Sequence, residues 1–209
     1  MLDLPLTLKN TNASTRMKNI AVYCGSGDGY NELYREQAYE TGSMLAERGL
    51  HVIYGGAKIG LMGAVADGVL NNNGQITGVI PDFLQNKEVV HEGLTELIVV
   101  STMHQRKLVM YEQCDAILVL PGGWGTMDEM FEMLTWGQLG MHTKPIGLLN
   151  VNGYYDALKA LNSTMVQEGF LGECARSILM FGDSLPELLD KMETYEAPDI
   201  PQVINKQTT

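Results

Sequence analysis

The stretch Leu120-Pro121-Gly122-Gly123-Trp124-Gly125-Thr126-Met127-Asp128-Glu129 leaves an apolar run, passes through closely spaced glycines and enters an amphipathic segment. Glycines at such a junction let the backbone approach an anion closely, and the N–H groups and dipole of a following helix favour negative charge there. Glu129 then has two readings. With Thr126 it forms the T-x-x-E pattern of a capping box, in which each side chain bonds an orphan backbone N–H, and spacing alone favours that reading. Alternatively, a carboxylate at the mouth of an anion site stabilises positive charge on a substrate or takes a proton from water.

A second junction carries the opposite charge. In Met103-His104-Gln105-Arg106-Lys107, the arginine and lysine fall in or near the first turn of a helix. Exposed cations there oppose the helix dipole at roughly 0.3–1 kcal/mol each. Compensation comes either from solvent or a carboxylate such as Glu112, or from an anion held between Arg106, Lys107 and the helix N-terminus. In the second case Arg106 grips a phosphate through two N–H bonds. Two more glycine-rich turns, Cys24-Gly25-Ser26-Gly27-Asp28-Gly29 and Tyr54-Gly55-Gly56-Ala57-Lys58-Ile59-Gly60-Leu61-Met62-Gly63, also join apolar runs to helical patterns. Neither G-x-G-x-x-G nor G-x-x-x-x-G-K-[ST] occurs, which disfavours a plain dinucleotide or ATP site.

The elements that must position these residues alternate. Short apolar, β-rich runs at Ile20-Cys24, Val52-Tyr54, Ile76-Ile80, Leu97-Val100, Ala116-Leu120, Ile146-Leu149 and Ile178-Phe181 are separated by helical patterns. This predicts a single-domain, Rossmann-like, three-layer α/β fold with a mostly parallel sheet of about seven strands. Helices are expected from a cap at Asn31 through Arg48 with Gly49 closing, over Leu61-Asn73 ending at Gly74, and over Met103-Gln113, Met127-Leu139, Tyr154-Glu168 and Ser184-Tyr195. Residues 18–196 read as the domain, with loosely held tails at 1–17 and 197–209. All three glycine-rich turns then fall at the carboxyl ends of strands, where open α/β sheets bind ligands. The segment 81–96 is the one long connection without a pattern, and long loops in compact domains are often functional.

Composition bounds the partners. A net charge of -11 with only 14 basic residues argues against a nucleic acid polymer, whose phosphates need a basic surface. Three widely spaced cysteines without a C-x-x-C pair suit a reducing, cytoplasmic setting and offer no metal site. No apolar run is long enough to cross a membrane, and the polar start lacks the apolar segment of a signal peptide.

Together the motifs resemble the LONELY GUY (LOG) family of phosphoribohydrolases, over about Asn19 to Tyr195. The signature PGGxGTxxE is matched at Pro121, Gly122, Gly123, Gly125, Thr126 and Glu129, and MHxRK at Met103, His104, Arg106 and Lys107. Supporting matches are the YGG…GLMG turn, the TWxQLG run at Thr135-Gly140 and GLLNxxGYYD at Gly147-Asp156. Ala57 departs from a third consecutive glycine, and Gly27-Asp28 from a second serine. The resemblance implies hydrolysis of the N-glycosidic bond of a nucleoside 5'-monophosphate, a cytokinin ribotide or AMP, to free base and ribose 5-phosphate, without metal or organic cofactor. It implies Glu129 and Arg106 as catalytic residues. It implies Gly25, Ser26, Glu88, Met103, Lys107, Gly122, Gly123, Trp124, Gly125, Thr126 and Thr135 as substrate-binding residues, and a homodimer to which Trp136 or Tyr111 contributes. Two other functions compete: a non-catalytic nucleotide carrier or sensor of the same fold, and a decarboxylase, which would need a lysine placed to hold pyridoxal phosphate.

Overall fold

The computed structural model describes residues 17–85 and 90–199. Seven strands, β1 (Asn19–Tyr23), β2 (His51–Tyr54), β3 (Ile76–Pro81), β4 (Glu96–Val100), β5 (Ala116–Val119), β6 (Ile146–Leu149) and β7 (Leu179–Gly182), form one sheet. Every pairing is parallel and the order is β4-β3-β2-β1-β5-β6-β7. The chain steps outward from β1 to β4, then returns to lay β5 on the other side of β1. That reversal opens a crevice at the carboxyl ends of β1 and β5.

Among the described residues seven α-helices flank the sheet: α1 (Leu33–Glu47), α2 (Gly60–Asn71), α3 (Met103–Gln113), α4 (Trp124–Gln138), α5 (Asp156–Gln167), α6 (Glu173–Arg176) and α7 (Leu185–Glu193). Central strands are buried on both faces, which is why they read as continuous apolar runs. Successive side chains still alternate between two cores. Ile20, Val22, Val52 and Leu118 pack with Leu45, Val65, Leu188 and Leu189 of α1, α2 and α7. Ala21, Tyr23, Ile53, Ile117 and Val119 pack with Met110 of α3 and Met130 and Met133 of α4. Met17, assigned from sequence to the loose N-terminal tail, is buried in the first of these cores.

Helix ends follow the sequence with two corrections. The Asn31 side chain accepts the Leu33 N–H, and Gly49 takes a left-handed φ of +71° while its N–H donates to the Ala46 carbonyl. At the end of α2, however, the left-handed residue is Asn73 rather than Gly74. Gly74 is there for space, since a Cβ would stand 2.6 Å from that of Ala46.

The second correction concerns the cap. Helix α4 begins at Trp124, three residues before the expected Met127, with Gly123 as its N-cap and no side-chain capping bond. Thr126 therefore lies inside the first turn, and the capping box does not form. The extended backbone of Gly123 (φ -93°, ψ -152°) starts the helix directly, and the first helical bond runs from the Met127 N–H to the Gly123 carbonyl.

Candidate active site

The three glycine-rich turns meet one another at the carboxyl ends of β1, β2 and β5. The Gly25 N–H donates to the Pro121 carbonyl at 3.0 Å, joining the first turn to the third, and the Met62 N–H reaches the Gly25 carbonyl at 3.4 Å from the second. Several glycines are required by this contact. A Cβ on Gly60, whose φ is +61°, would stand 2.2 Å from the Ser26 carbonyl oxygen, and one on Gly122 would stand 2.1 Å from Thr126 Oγ1. Gly123 and Gly125 differ, because a Cβ on either would meet nothing within 4 Å. Packing does not explain them, and they border a cavity of about 280 Å³. The first N–H groups of α4 have no acceptor within the helix, so this end of the cavity suits an anion.

Arg106 and Glu129 both line that cavity. Arg106 is buried on α3; its Nη2 donates to the Gly55 carbonyl at 3.3 Å, and its Nε has no partner among the described residues. Gly55 is glycine to admit this side chain, as a Cβ would stand 2.0 Å from Nη2. A buried guanidinium with an unsatisfied N–H is costly in isolation, and an oxyanion would satisfy it with a charge-assisted bond. At the other end of α3's first turn the Thr102 hydroxyl caps the helix by accepting the Gln105 N–H.

The remaining walls are of two kinds. Met62, Leu84, Met103, Met110 and Trp124 supply soft apolar surface, and Trp124 is 93% exposed at the rim. Beneath lie Tyr23, the last residue of β1, and Cys24, which follows it. Burial, and after it the Glu129 carboxylate, pushes the Cys24 thiol far up against the opposing field of Arg106, so it stays protonated and is no nucleophile. Burial also raises the Tyr23 phenol, with Cys114, Glu129 and Glu132 adding and Arg106 subtracting.

The turn that carries the glycines is held from below. The Tyr155 hydroxyl donates to the Leu120 carbonyl and the Tyr154 hydroxyl to the Gly122 carbonyl, both at 2.7 Å. Asn150 anchors the pair, its carbonyl oxygen accepting the Tyr155 N–H while its amide donates to Asp156 and Asp183.

Comparison with known proteins identifies the family. A family described as "Possible lysine decarboxylase" matches residues 62–192. A cytokinin riboside 5'-monophosphate phosphoribohydrolase of Arabidopsis thaliana is 43% identical over 181 residues, covering 87% of this chain and 85% of the relative. One of Oryza sativa subsp. japonica is 45% identical, covering 87% of this chain and 75% of the relative. The chain belongs to the LOG family. Its fold recurs more widely: a molybdenum cofactor binding protein from Rippkaea orientalis superposes with a TM-score of 0.65 at 19% identity, over 86% of this chain and 98% of that one. A molybdenum cofactor carrier protein from Chlamydomonas reinhardtii gives 0.61 at 20%, over 84% and 99%. At such identities the likeness is one of fold alone.

The LOG motifs are brought together selectively. Of the residues expected at the site, Gly25, Ser26, Met103, Arg106, Gly123, Trp124, Gly125, Thr126 and Glu129 line the cavity. Gly122 lies just behind, packed on Thr126. Thr135 faces out of α4, its hydroxyl donating to the Phe131 carbonyl, and Glu88 lies outside the described residues. Lys107 is not at the cavity wall. Its ammonium sits 3.1 Å from Asp128 and 3.0 Å from Glu132 on α4, rather than near Glu112. No lysine stands among the described residues of the wall. Sequence reading missed Tyr23, Asp128 and the two tyrosine buttresses. The GYYD run was visible as a LOG-type match, but its bonding partners were not.

Proposed function

We propose that this chain hydrolyses the N-glycosidic bond of a nucleoside 5'-monophosphate, releasing free base and ribose 5-phosphate, with cytokinin ribotides as substrates and AMP as a further one. The observation that carries this reading is Arg106, a buried guanidinium with an unpartnered Nε, lining the same cavity as Glu129 beside the open glycines of α4. The 5'-phosphate rests on the N–H groups at Gly123–Thr126 and on the Thr126 hydroxyl, with Gly25 and Ser26 on the opposite turn. Arg106 binds the nucleotide by its free donors. The apolar wall of Met62, Leu84, Met103 and Trp124 suits a purine with an aliphatic substituent, since methionine and tryptophan adapt to flat and branched groups alike.

As the C1'–N bond lengthens, positive charge builds on the ribose and negative charge on the base. Glu129 stabilises the first and takes a proton from the attacking water, whose oxygen bonds to C1' while the departing base is protonated. A homodimer in the cytoplasm fits the exposed apolar side chains of Leu108 on α3 and Phe131 on α4, which a second copy would cover. Thr135, outside the cavity wall described above, and Glu88 complete the substrate contacts.

Purified protein incubated with AMP and with isopentenyl-AMP should release base and ribose 5-phosphate in equal amounts. Tight binding of either nucleotide without release of base would overturn the hydrolase reading in favour of a carrier.

A further inference from the structure

The run Gly153-Tyr154-Tyr155-Asp156 takes no part in the cavity wall, yet its two tyrosines reach the turn that does. Three consecutive carbonyls of that turn are each held by a different part of the chain. Leu120 accepts the Tyr155 hydroxyl at 2.7 Å, Pro121 the Gly25 N–H at 3.0 Å and Gly122 the Tyr154 hydroxyl at 2.7 Å. The Gly122 carbonyl shares a planar peptide unit with the Gly123 N–H, and in a trans peptide the two point in opposite directions. Holding the carbonyl on Tyr154 therefore sets the direction of the N–H, on the residue that lines the cavity and caps α4. We infer that Tyr154 is a positioning residue for phosphate: its hydroxyl selects the orientation of the Gly122–Gly123 peptide that aims the Gly123 N–H at a bound 5'-phosphate, without touching the substrate itself. The inference rests on the placement of that phosphate at Gly123–Thr126 under the hydrolase reading.

Three physical points support it. A peptide between two glycines has no side chain to restrict its rotation, so its orientation has to be set from outside. On the Gly123 side nothing else does this, since a Cβ there would meet no atom within 4 Å. Second, the Tyr154 ring is itself held on two sides. It stands edge-on to Tyr155 at 4.8 Å and 88°, and to Tyr34 of α1 at 5.7 Å and 78°. Tyr155 is buried and tied by its N–H to the Asn150 side chain, while the Tyr34 ring lies over Gly29, where a Cβ would stand 3.0 Å from it. One ring thus spans the first and third glycine turns, the two proposed walls of the phosphate cradle. Third, Tyr154 is 43% exposed where Tyr155 is 3%, so it adds less to the core and its loss is felt more in the turn than in stability.

The test measures affinity for AMP, ribose 5-phosphate and adenine by calorimetric titration, with kcat and the thermal midpoint alongside. It compares the full chain with Tyr154→Phe, Tyr154→Leu, Tyr34→Leu and Tyr34→Leu/Tyr154→Leu. Tyr154→Phe keeps the ring and loses the hydroxyl, and should weaken AMP and ribose 5-phosphate about fivefold. Tyr154→Leu also loses the contacts to both rings, and the same two ligands should weaken about tenfold or more. Adenine carries no phosphate, so its affinity should stay within about twofold in both variants, and kcat within about threefold, the pattern of lost binding rather than lost chemistry. Tyr34→Leu should weaken the phosphate-bearing ligands about threefold, and the double variant should be no weaker than Tyr154→Leu, because Tyr34 acts through that ring. Adenine weakening in step with AMP would mean general loosening and would overturn the inference. So would AMP affinity unchanged in Tyr154→Leu, whatever the thermal midpoint does. Losses that simply add in the double variant would remove Tyr34 from the device. If the unaltered chain binds AMP but releases no base, the hydrolase reading fails, while the three affinities still decide whether Tyr154 aims the turn at phosphate.

Discussion

Helices α1 and α2 on one side of the sheet, and α3 and α4 on the other, solve the same packing problem by different means. The first pair meets through missing side chains: a Cβ on Gly42 would stand 2.1 Å from the Val65 carbonyl oxygen, and one on Gly68 would stand 2.1 Å from that of Tyr39. Backbone presses on backbone, which fixes the spacing of the two helices. The second pair meets through large side chains, with the Tyr111 ring of α3 edge-on to Trp136 of α4 at 5.1 Å, and through charge. Lys107 bridges to Asp128 and Glu132 beside the cavity, and at the far end the Lys144 ammonium donates to the Tyr111 carbonyl of α3 while lying 3.9 Å over the Tyr111 ring. His142 joins the same loop to α4 through the Met133 carbonyl at 2.8 Å. Charged side chains hold helices apart at a set distance, and the space between their ends is where ligand chemistry becomes feasible.

The strongest way to break the comparison is on the charged side. Arg106→Ala should lower kcat/KM by about 10³-fold, because it removes the donors that meet substrate charge, with circular dichroism unchanged. Glu129→Gln should cost ~10²–10⁴-fold; full turnover with only a lower thermal midpoint would leave Glu129 no catalytic role. On the glycine side the effect moves from activity to stability. Gly42→Val or Gly68→Val should destabilise by about 3 kcal/mol or more in urea unfolding, since the clash is with a carbonyl rather than a movable side chain. An unfolding midpoint like that of the unaltered chain would show that α1 and α2 can separate freely.

Smaller substitutions sharpen the contrast. Tyr154→Phe removes one hydrogen bond to the Gly122 carbonyl and should cost about 1 kcal/mol, read as a several-fold rise in KM for a turn that no longer aims its N–H groups. The smallest effect concerns pH. His142 is half-buried, its Nε2–H donating to the Met133 carbonyl and its Nδ1 accepting the Lys144 N–H, so the neutral ring is the one that fits. Burial lowers its pKa below the ordinary histidine value, with the Met133 bond opposing and Lys144 adding. The unfolded chain therefore takes up the proton first as pH falls, and stability should decline from about pH 6.5 down towards the lowered folded value. His142→Gln should flatten the thermal midpoint between pH 7 and 5, whereas an unchanged slope would place the titration elsewhere.

Much of this arrangement was legible beforehand. All seven strands lie where apolar runs predicted them: burial on both faces leaves the central runs too apolar to mistake, while the edge strands β4 and β7 keep the apolar character with less burial. The turns at Gly25, Gly55 and Gly122 were placed at one edge by alternation alone. What misled was local pattern without context: T-x-x-E at Thr126 and Glu129 has capping spacing, yet the helix starts earlier because Gly123 is free to extend.

From its residues alone, this chain determined strand and helix order, the glycine turns at the ligand edge and the two motifs that mark its family. Those are properties of short windows, where periodic burial and backbone freedom act on neighbours. Only the tertiary structure decided what each polar group meets. Lys107 finds Asp128 21 residues away, Tyr154 finds Gly122 32 residues away and Arg106 finds Gly55 51 residues away. Such partners are chosen by how elements stack in three dimensions, and no spacing along the chain records that choice.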